Sequence, residues 1–213
     1  MKKLITLALV CLGLVSAHAG GSQNESIIGI NKKKGMISNG VYLHLGLGFP
    51  SISNFGTQSL GIQPTFEFGN QWMFYKNDNF GIGMNVSWLT IGGSSKAEPG
   101  YRVSSFHLGL LKFGPMASFS PVDNIAIDAY FNFSPTMYFG AYSYEYATVN
   151  NAFIMYGLAL APGAKFRYKK LAVGFELQLG NQNYINSDLE DDDDLANFKV
   201  SYVNPRLLVG FKF

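Results

Sequence analysis

The side chains able to do chemistry fall into three groups. The first is a set of charges at every-second-residue positions: Glu67, Lys112, Asp128, Lys165, Arg167, Glu176 and Arg206, with Tyr130 in the same kind of row. Ionic groups confined to one face of extended segments neutralise one another in a shared interior, or line a polar path through it. The second is the run Asp188-Leu189-Glu190-Asp191-Asp192-Asp193-Asp194. Carboxylate oxygens suit a hard cation such as Ca²⁺, which makes Asp191, Asp192, Asp193 and Asp194 the candidate metal ligands. The run lacks the glycine and spaced ligands of an EF-hand, and it reads first as a solvated loop whose charges repel. The third is Ser104, Ser105 and His107, the residue types of a nucleophile and its base. A local S-S-x-H cluster is common by chance. His44 lies in an alternating row and reads as a packed interior residue. No zinc spacing, phosphate loop or dinucleotide fingerprint is present. The expectation is no catalytic residue, no cofactor and a non-enzymatic protein.

The elements that must position these groups are strands. Ile125, Ile127, Ala129, Phe131 and Phe133 alternate with Ala126, Asp128, Tyr130 and Asn132, a period of two with one apolar face. The same alternation runs through residues 41–49, 60–74, 80–88, 111–119, 156–168, 171–179 and 205–213, which makes eight segments. In the fourth, Phe106, Leu108 and Leu110 sit on one phase and Leu111, Phe113 and Pro115 on the other, so a β-bulge is expected at Leu110-Leu111. If Lys169-Lys170 is a two-residue turn, Tyr168 pairs with Leu171, Gly163 faces Glu176, and Lys165 lies diagonal to Glu176 within its reach. Short polar turns (76–79, 120–124, 169–170) alternate with longer stretches read as loops (50–59, 91–104, 138–152, 181–197). Pro64, Pro115, Pro162 and Pro205 fall on even-numbered strands in the apolar row, where each removes a ladder N–H.

Residues 1–19 have the form of a secretory signal: Lys2 and Lys3, an apolar run from Leu4 to Val15, then Ala17-His18-Ala19. Cys11, the only cysteine, lies within that run after Val10, where a lipidated signal would carry a small residue. The exported remainder is therefore free of disulfides. Charged residues make up 14% and aromatics 15%, with 24 glycines. No later stretch is long and apolar enough for a spanning helix. A net charge of +2 is too small to argue for nucleic acid. This composition suits a secreted β-sandwich or a membrane barrel. The alternation of short turns with long connections, and the even strand count, favour the barrel. The expected architecture is all-β: an eight-stranded antiparallel up-and-down transmembrane β-barrel over 40–213, preceded by a flexible periplasmic lead-in over 20–39. Trp72, Tyr75, Trp88, Tyr156 and Tyr168 fit its interfacial girdles. Tyr138, Phe139, Tyr142, Tyr144 and Tyr146 belong to an aromatic third loop, read as an extended hairpin.

The chain ends in Leu207-x-Val209-x-Phe211-x-Phe213. With the A-x-A signal and eight alternating strands, this resembles the outer membrane protein β-barrel domain superfamily of Gram-negative bacteria, over about residues 40 to 213. The resemblance implies a cell outer membrane location among its lipid and lipopolysaccharide, a monomer, and insertion by the barrel assembly machinery, with Leu207, Val209, Phe211 and Phe213 as the signal read. It implies no activity. Three roles follow in order: a structural or surface-interaction barrel acting through its outer loops, a narrow porin-like channel for small solutes, and a lipid-modifying rim enzyme.

Overall fold

The computed structural model describes residues 36–53, 57–144, 150–186 and 198–213. The signal segment, residues 20–35, Tyr146 and the acidic run 188–194 lie outside them. Ten strands follow one another: β1 (Gly40–Gly48), β2 (Ser51–Ser53), β3 (Thr57–Ser59), β4 (Gln63–Lys76), β5 (Phe80–Glu98), β6 (Tyr101–Phe119), β7 (Ile125–Tyr144), β8 (Asn150–Tyr168), β9 (Leu171–Asn186) and β10 (Phe198–Lys212). Every pairing is antiparallel. Strands β1 and β4 to β10 pair in sequence order, and β10 returns to β1 from Tyr42↔Lys212 to Gly48↔Arg206. The result is the expected up-and-down ring of eight strands, which leaves no open edge through the body of the sheet.

Burial follows the alternation. In β7, Ile127, Ala129, Phe131 and Phe133 face out while Ala126, Asp128, Tyr130 and Asn132 are buried; in β10, Leu207, Val209 and Phe211 face out while Arg206, Leu208 and Lys212 are buried. The outer surface is thus aliphatic and aromatic, and the inside polar. The bulge expected at Leu110-Leu111 is present. Both leucines face out, Leu111 has φ 56°, and the β6–β7 register slips between Gly109 and Phe113. A matching bulge on β5 gave no sequence signal. Phe68 pairs with Leu89 but Gly69 pairs with Ser87, so Trp88 is the extra residue. Trp88 packs edge to face against Trp72 on the outer surface.

The strand prolines lie at interruptions of the ladder. The β6–β7 pairing skips from Gly109↔Thr136 to Phe113↔Phe133 and again from there to Met116↔Tyr130. Pro135 lies in the first gap and Pro115 in the second. The β8–β9 pairing skips from Leu160 to Gly163, leaving out Pro162. Pro64 precedes the first β4–β5 pair, Thr65↔Gly92. Pro205 stands opposite Phe49, between the end of β1 and the start of β2, and its carbonyl accepts the Phe49 N–H. Each ring therefore sits beside a missing ladder bond, as a residue without an N–H requires. Pro135 is on an odd-numbered stave, so position in the ladder explains the prolines and strand parity does not.

Two of the four stretches read as long loops, 91–104 and 138–152, are largely strand among the described residues, and the stretch from 181 begins as strand. β5 runs to Glu98 and β6 starts at Tyr101, joined by Pro99-Gly100 with Gly100 at φ 84°. β7 reaches Tyr144, β8 starts at Asn150, and β9 reaches Asn186. Gly, Ser and Lys lower strand propensity, but cross-strand hydroxyl pairs, Ser94–Ser105 at 2.8 Å and Ser95–Ser104 at 3.1 Å, hold the β5–β6 hairpin together. Crossing a bilayer takes about 9–11 tilted residues, and β5 to β8 have 19 or 20 each. Their upper halves stand clear of it. The remaining stretch, after β1, is the hairpin β2–β3, with β2 pairing to β10 in the same register as β1. Gly61 at φ 94° turns the chain between β3 and β4. For this reason Leu60, expected in the outward row, is fully buried.

Candidate functional site

Two surfaces can carry function, the lumen and the upper rim. The lumen is filled in layers. At its lower end Met36–Asn39, read from sequence as part of a flexible lead-in, turns inward instead. The Met36 carbonyl accepts from Arg167 Nη1 at 3.1 Å, the Ser38 carbonyl from Lys212 Nζ at 2.6 Å, and Asn39 Oδ1 from the Met73 N–H at 2.7 Å. Ile37 packs with Met73, Met116 and Tyr130 and covers this end. Beside it Arg167 grips Asp128 with Nε to Oδ2 at 2.5 Å and Nη2 to Oδ1 at 2.9 Å, and Ser118 donates to Asp128 at 2.6 Å. This forked geometry is the strongest form of the pair.

The ionic quartet of the middle layer draws its residues from four strands. Lys112 Nζ donates to Glu67 Oε2 at 2.6 Å and Glu176 Oε2 at 2.7 Å. Arg206 Nη1 lies 2.8 Å from Glu176 Oε1 and 3.5 Å from Glu67 Oε2, and Nη2 donates to Thr65 at 3.0 Å. Tyr42 donates to Glu67 Oε1 at 3.1 Å, and Gln178 to Glu176 at 3.1 Å. Two carboxylates face two cations, all of them buried, so neither sign is left over within the quartet. The register expected for β8–β9 holds, with Tyr168↔Leu171 and Gly163↔Glu176, but Lys165 does not bond Glu176. Its ammonium crosses to Asn85 at 3.4 Å and sits between the rings of Tyr42 and Tyr130, 4.5 and 4.6 Å from their centroids. Sequence alone could not reveal this cage, because its walls come from β1 and β7.

Inward glycines make the room. A Cβ on Gly69 would lie 2.5 Å from the Tyr42 phenol, and one on Gly163 2.5 Å from that of Tyr130. These two glycines are sockets for the two rings that hold Lys165. The Gly163→Ala variant is expected to displace Tyr130 and cost about 1–3 kcal/mol, the usual penalty of overpacking. Introducing it into Tyr130→Leu should cost much less, and thermal unfolding of the four proteins in this double-mutant cycle measures the difference.

Above the ions lies an amide layer, in which Asn204 reaches Gln63 at 3.2 Å and Gln178 at 3.4 Å. The top is apolar: Ile52, Leu60, Val103, Tyr138, Phe153, Met155 and Tyr202 form one cluster beneath the β2–β3 hairpin. The Tyr138 and Tyr202 hydroxyls share a hydrogen bond. His107 is buried, stacked on Tyr138 with centroids 4.5 Å apart, and neither ring nitrogen has a partner. Ser105 bonds Ser94 instead, and Ser104 is on the opposite face of β6. The fold does not assemble the S-S-x-H residues into a nucleophile–base pair. His44 is an interior residue, stacked on Tyr42 at 4.4 Å. Asp191 to Asp194 lie outside the described residues.

A closed eight-strand ring, aliphatic and aromatic outside and ionic inside, is the inverse of a soluble β-protein and matches a lipid solvent. Solved structures agree. The crystal structure of Ail, the attachment invasion locus protein of Yersinia pestis, superposes with TM-score 0.52 at 10% identity, over 83% of this chain and 100% of that one. Ail in complex with the heparin analogue sucrose octasulfate gives TM-score 0.50 at 13% identity over the same shares. This chain has the fold of the small outer-membrane β-barrels. At such identities the likeness is one of fold. No family model matches the sequence, and no curated protein matches it. The barrel's outward belt suits a lipid surround, with Leu207, Val209, Phe211 and Phe213 in the outward row of its closing strand.

Above that belt is the rim. Tyr101 lies 6.1 Å from Tyr142 and 6.3 Å from Tyr144, centroid to centroid. Tyr142 also packs against Phe153 at 5.2 Å and donates to Gln58 of β3 at 3.2 Å. Burial raises the Tyr142 phenol above its ordinary value, which keeps it a neutral donor. The aromatic third loop expected from sequence is thus partly the inner face of a tall wall.

Proposed function

We propose that the barrel is a non-enzymatic outer-membrane protein that works through its raised hairpins, with a lumen that serves stability. The observation that carries this reading is the layered interior, with apolar clusters above and below a neutral ionic quartet. A path for solute would have to break buried ion pairs, each costly to open. The raised wall β5–β8 supplies surface beyond what crossing the bilayer requires. A monomer embedded among lipid and lipopolysaccharide, inserted by the barrel assembly machinery through its terminal Phe213 ladder, completes the proposal. Ail carries attachment in its name and binds a heparin analogue in one structure; that likeness is of fold, and the surface role here rests on this chain's own rim.

The test is planar-bilayer recording of the refolded protein. The expected trace is silent, and steady single-channel steps would establish the narrow channel in its place. For the enzymatic alternative, lipid A from cells with and without the protein is expected to have one mass spectrum, and a protein-dependent mass change would overturn the non-enzymatic reading.

A further inference from the structure

The inner face of the raised wall carries two cross-strand rows at and above the top of the lumen. Strand pairing aligns Lys96, Val103 and Tyr142 in one, and Glu98, Tyr101 and Tyr144 in the next. Val103 is buried in the upper cluster, and the rows continue upward from it. Tyr144 is 43% exposed, and Tyr101 and Tyr142 are half-buried. Lys96 and Glu98 form an ion pair with each other. Gln58, on the low β2–β3 hairpin opposite, adds an amide through Tyr142. A high aromatic wall faces a low polar sill.

We infer that this face is a binding site for a neutral saccharide, with Tyr101 and Tyr144 as its stacking platforms. The inference rests on the reading that the barrel acts at its rim. Three observations select this class. Among the described residues of the face the charges, Lys96 and Glu98, are paired with each other, so these rows offer no net charge with which to attract a polyanion. The rings are rigid, amphipathic and about 6 Å apart, which lets phenol faces cover sugar C–H surfaces while hydroxyls, the amide and the ion pair meet sugar hydroxyls. The backbone of Tyr101, Val103 and Tyr142 is bonded to strands on both sides, so an extended peptide would find no free ladder there.

Saturation-transfer NMR on the full chain in lipid nanodiscs tests this with maltohexaose, chitohexaose and a galactan hexamer as probes, and dextran sulfate and a proline-rich peptide as comparisons. The expected result is saturable transfer to at least one neutral hexamer. Tyr101→Ala and Tyr144→Ala should each weaken it about tenfold or more, and Tyr144→Phe should stay within about threefold of wild type. Heat-modifiable migration shows that each variant is a folded barrel. No transfer to any neutral hexamer at millimolar concentration, equal binding by the alanine variants, or binding confined to dextran sulfate or the peptide would overturn the inference. The two readings fail separately: channel steps with saccharide binding remove the closed-lumen reading alone, and a silent bilayer without saccharide binding removes this one alone.

Discussion

Replacing Glu176 by alanine is expected to destabilise the barrel by about 3–5 kcal/mol, the cost of breaking a buried ion pair from one side. Glu176 accepts from Lys112 at 2.7 Å, Arg206 at 2.8 Å and Gln178 at 3.1 Å, and it is fully buried. Its removal leaves two interior cations to share Glu67. Glu176→Gln keeps the volume and an acceptor oxygen and should fall between alanine and wild type. Urea unfolding in lipid vesicles measures all three. The comparison variant is Glu98→Ala, which breaks the partly exposed pair with Lys96 and should change stability by about 0–1 kcal/mol. Equal losses for Glu98→Ala and Glu176→Ala would mean that water reaches the quartet and that the lumen is open.

Val209→Arg is expected to cost about 2–4 kcal/mol, the penalty for arginine on the lipid face near the bilayer midplane. Val209 is 50% exposed between Leu207 and Phe211. Ser201→Arg, eight residues closer to the top in the same outward row of the strand, should cost about 0–1 kcal/mol, because the penalty fades toward the interface. Reversible folding into vesicles resolves the pair. A Val209→Arg cost no larger than that of Ser201→Arg would show that this face meets water, which is incompatible with the membrane placement.

The ring was legible because its signal is local. Alternation places each side chain inside or outside with no reference to the rest of the chain, and Lys169-Lys170 sets the register of β8 and β9 through hairpin geometry alone. The Leu110-Leu111 bulge was equally readable, since two adjacent leucines cannot both face out without one. Trp88 left no such mark: its neighbours Ser87 and Leu89 fit either phase of a half-polar strand. Residues 91–104 were misread because serine, glycine and lysine signal a loop by composition. What makes them strand is a partner strand with matching hydroxyls, and pairing is not a property of one segment. The prolines were unexplained for a similar reason. Each answers to a gap in the neighbouring ladder, and a gap belongs to two strands.

By itself the sequence determined which residues face lipid and which face inward, how many strands cross, and at which end the short turns lie. These follow from a two-residue period and turn chemistry, both short-range. Only the tertiary structure decided how the inward residues are spent. It placed Lys165 between Tyr42 and Tyr130 rather than on Glu176, joined Lys112 and Arg206 to two carboxylates, folded Met36–Asn39 under the lumen, and aligned Tyr101 with Tyr144 on the raised wall. The contacts of Lys112 with Glu67 and Glu176, and of Lys165 with Tyr42, join strands distant in sequence, and ring closure brings them within a few ångströms. A charge in a strand carries no label for its partner until the barrel closes.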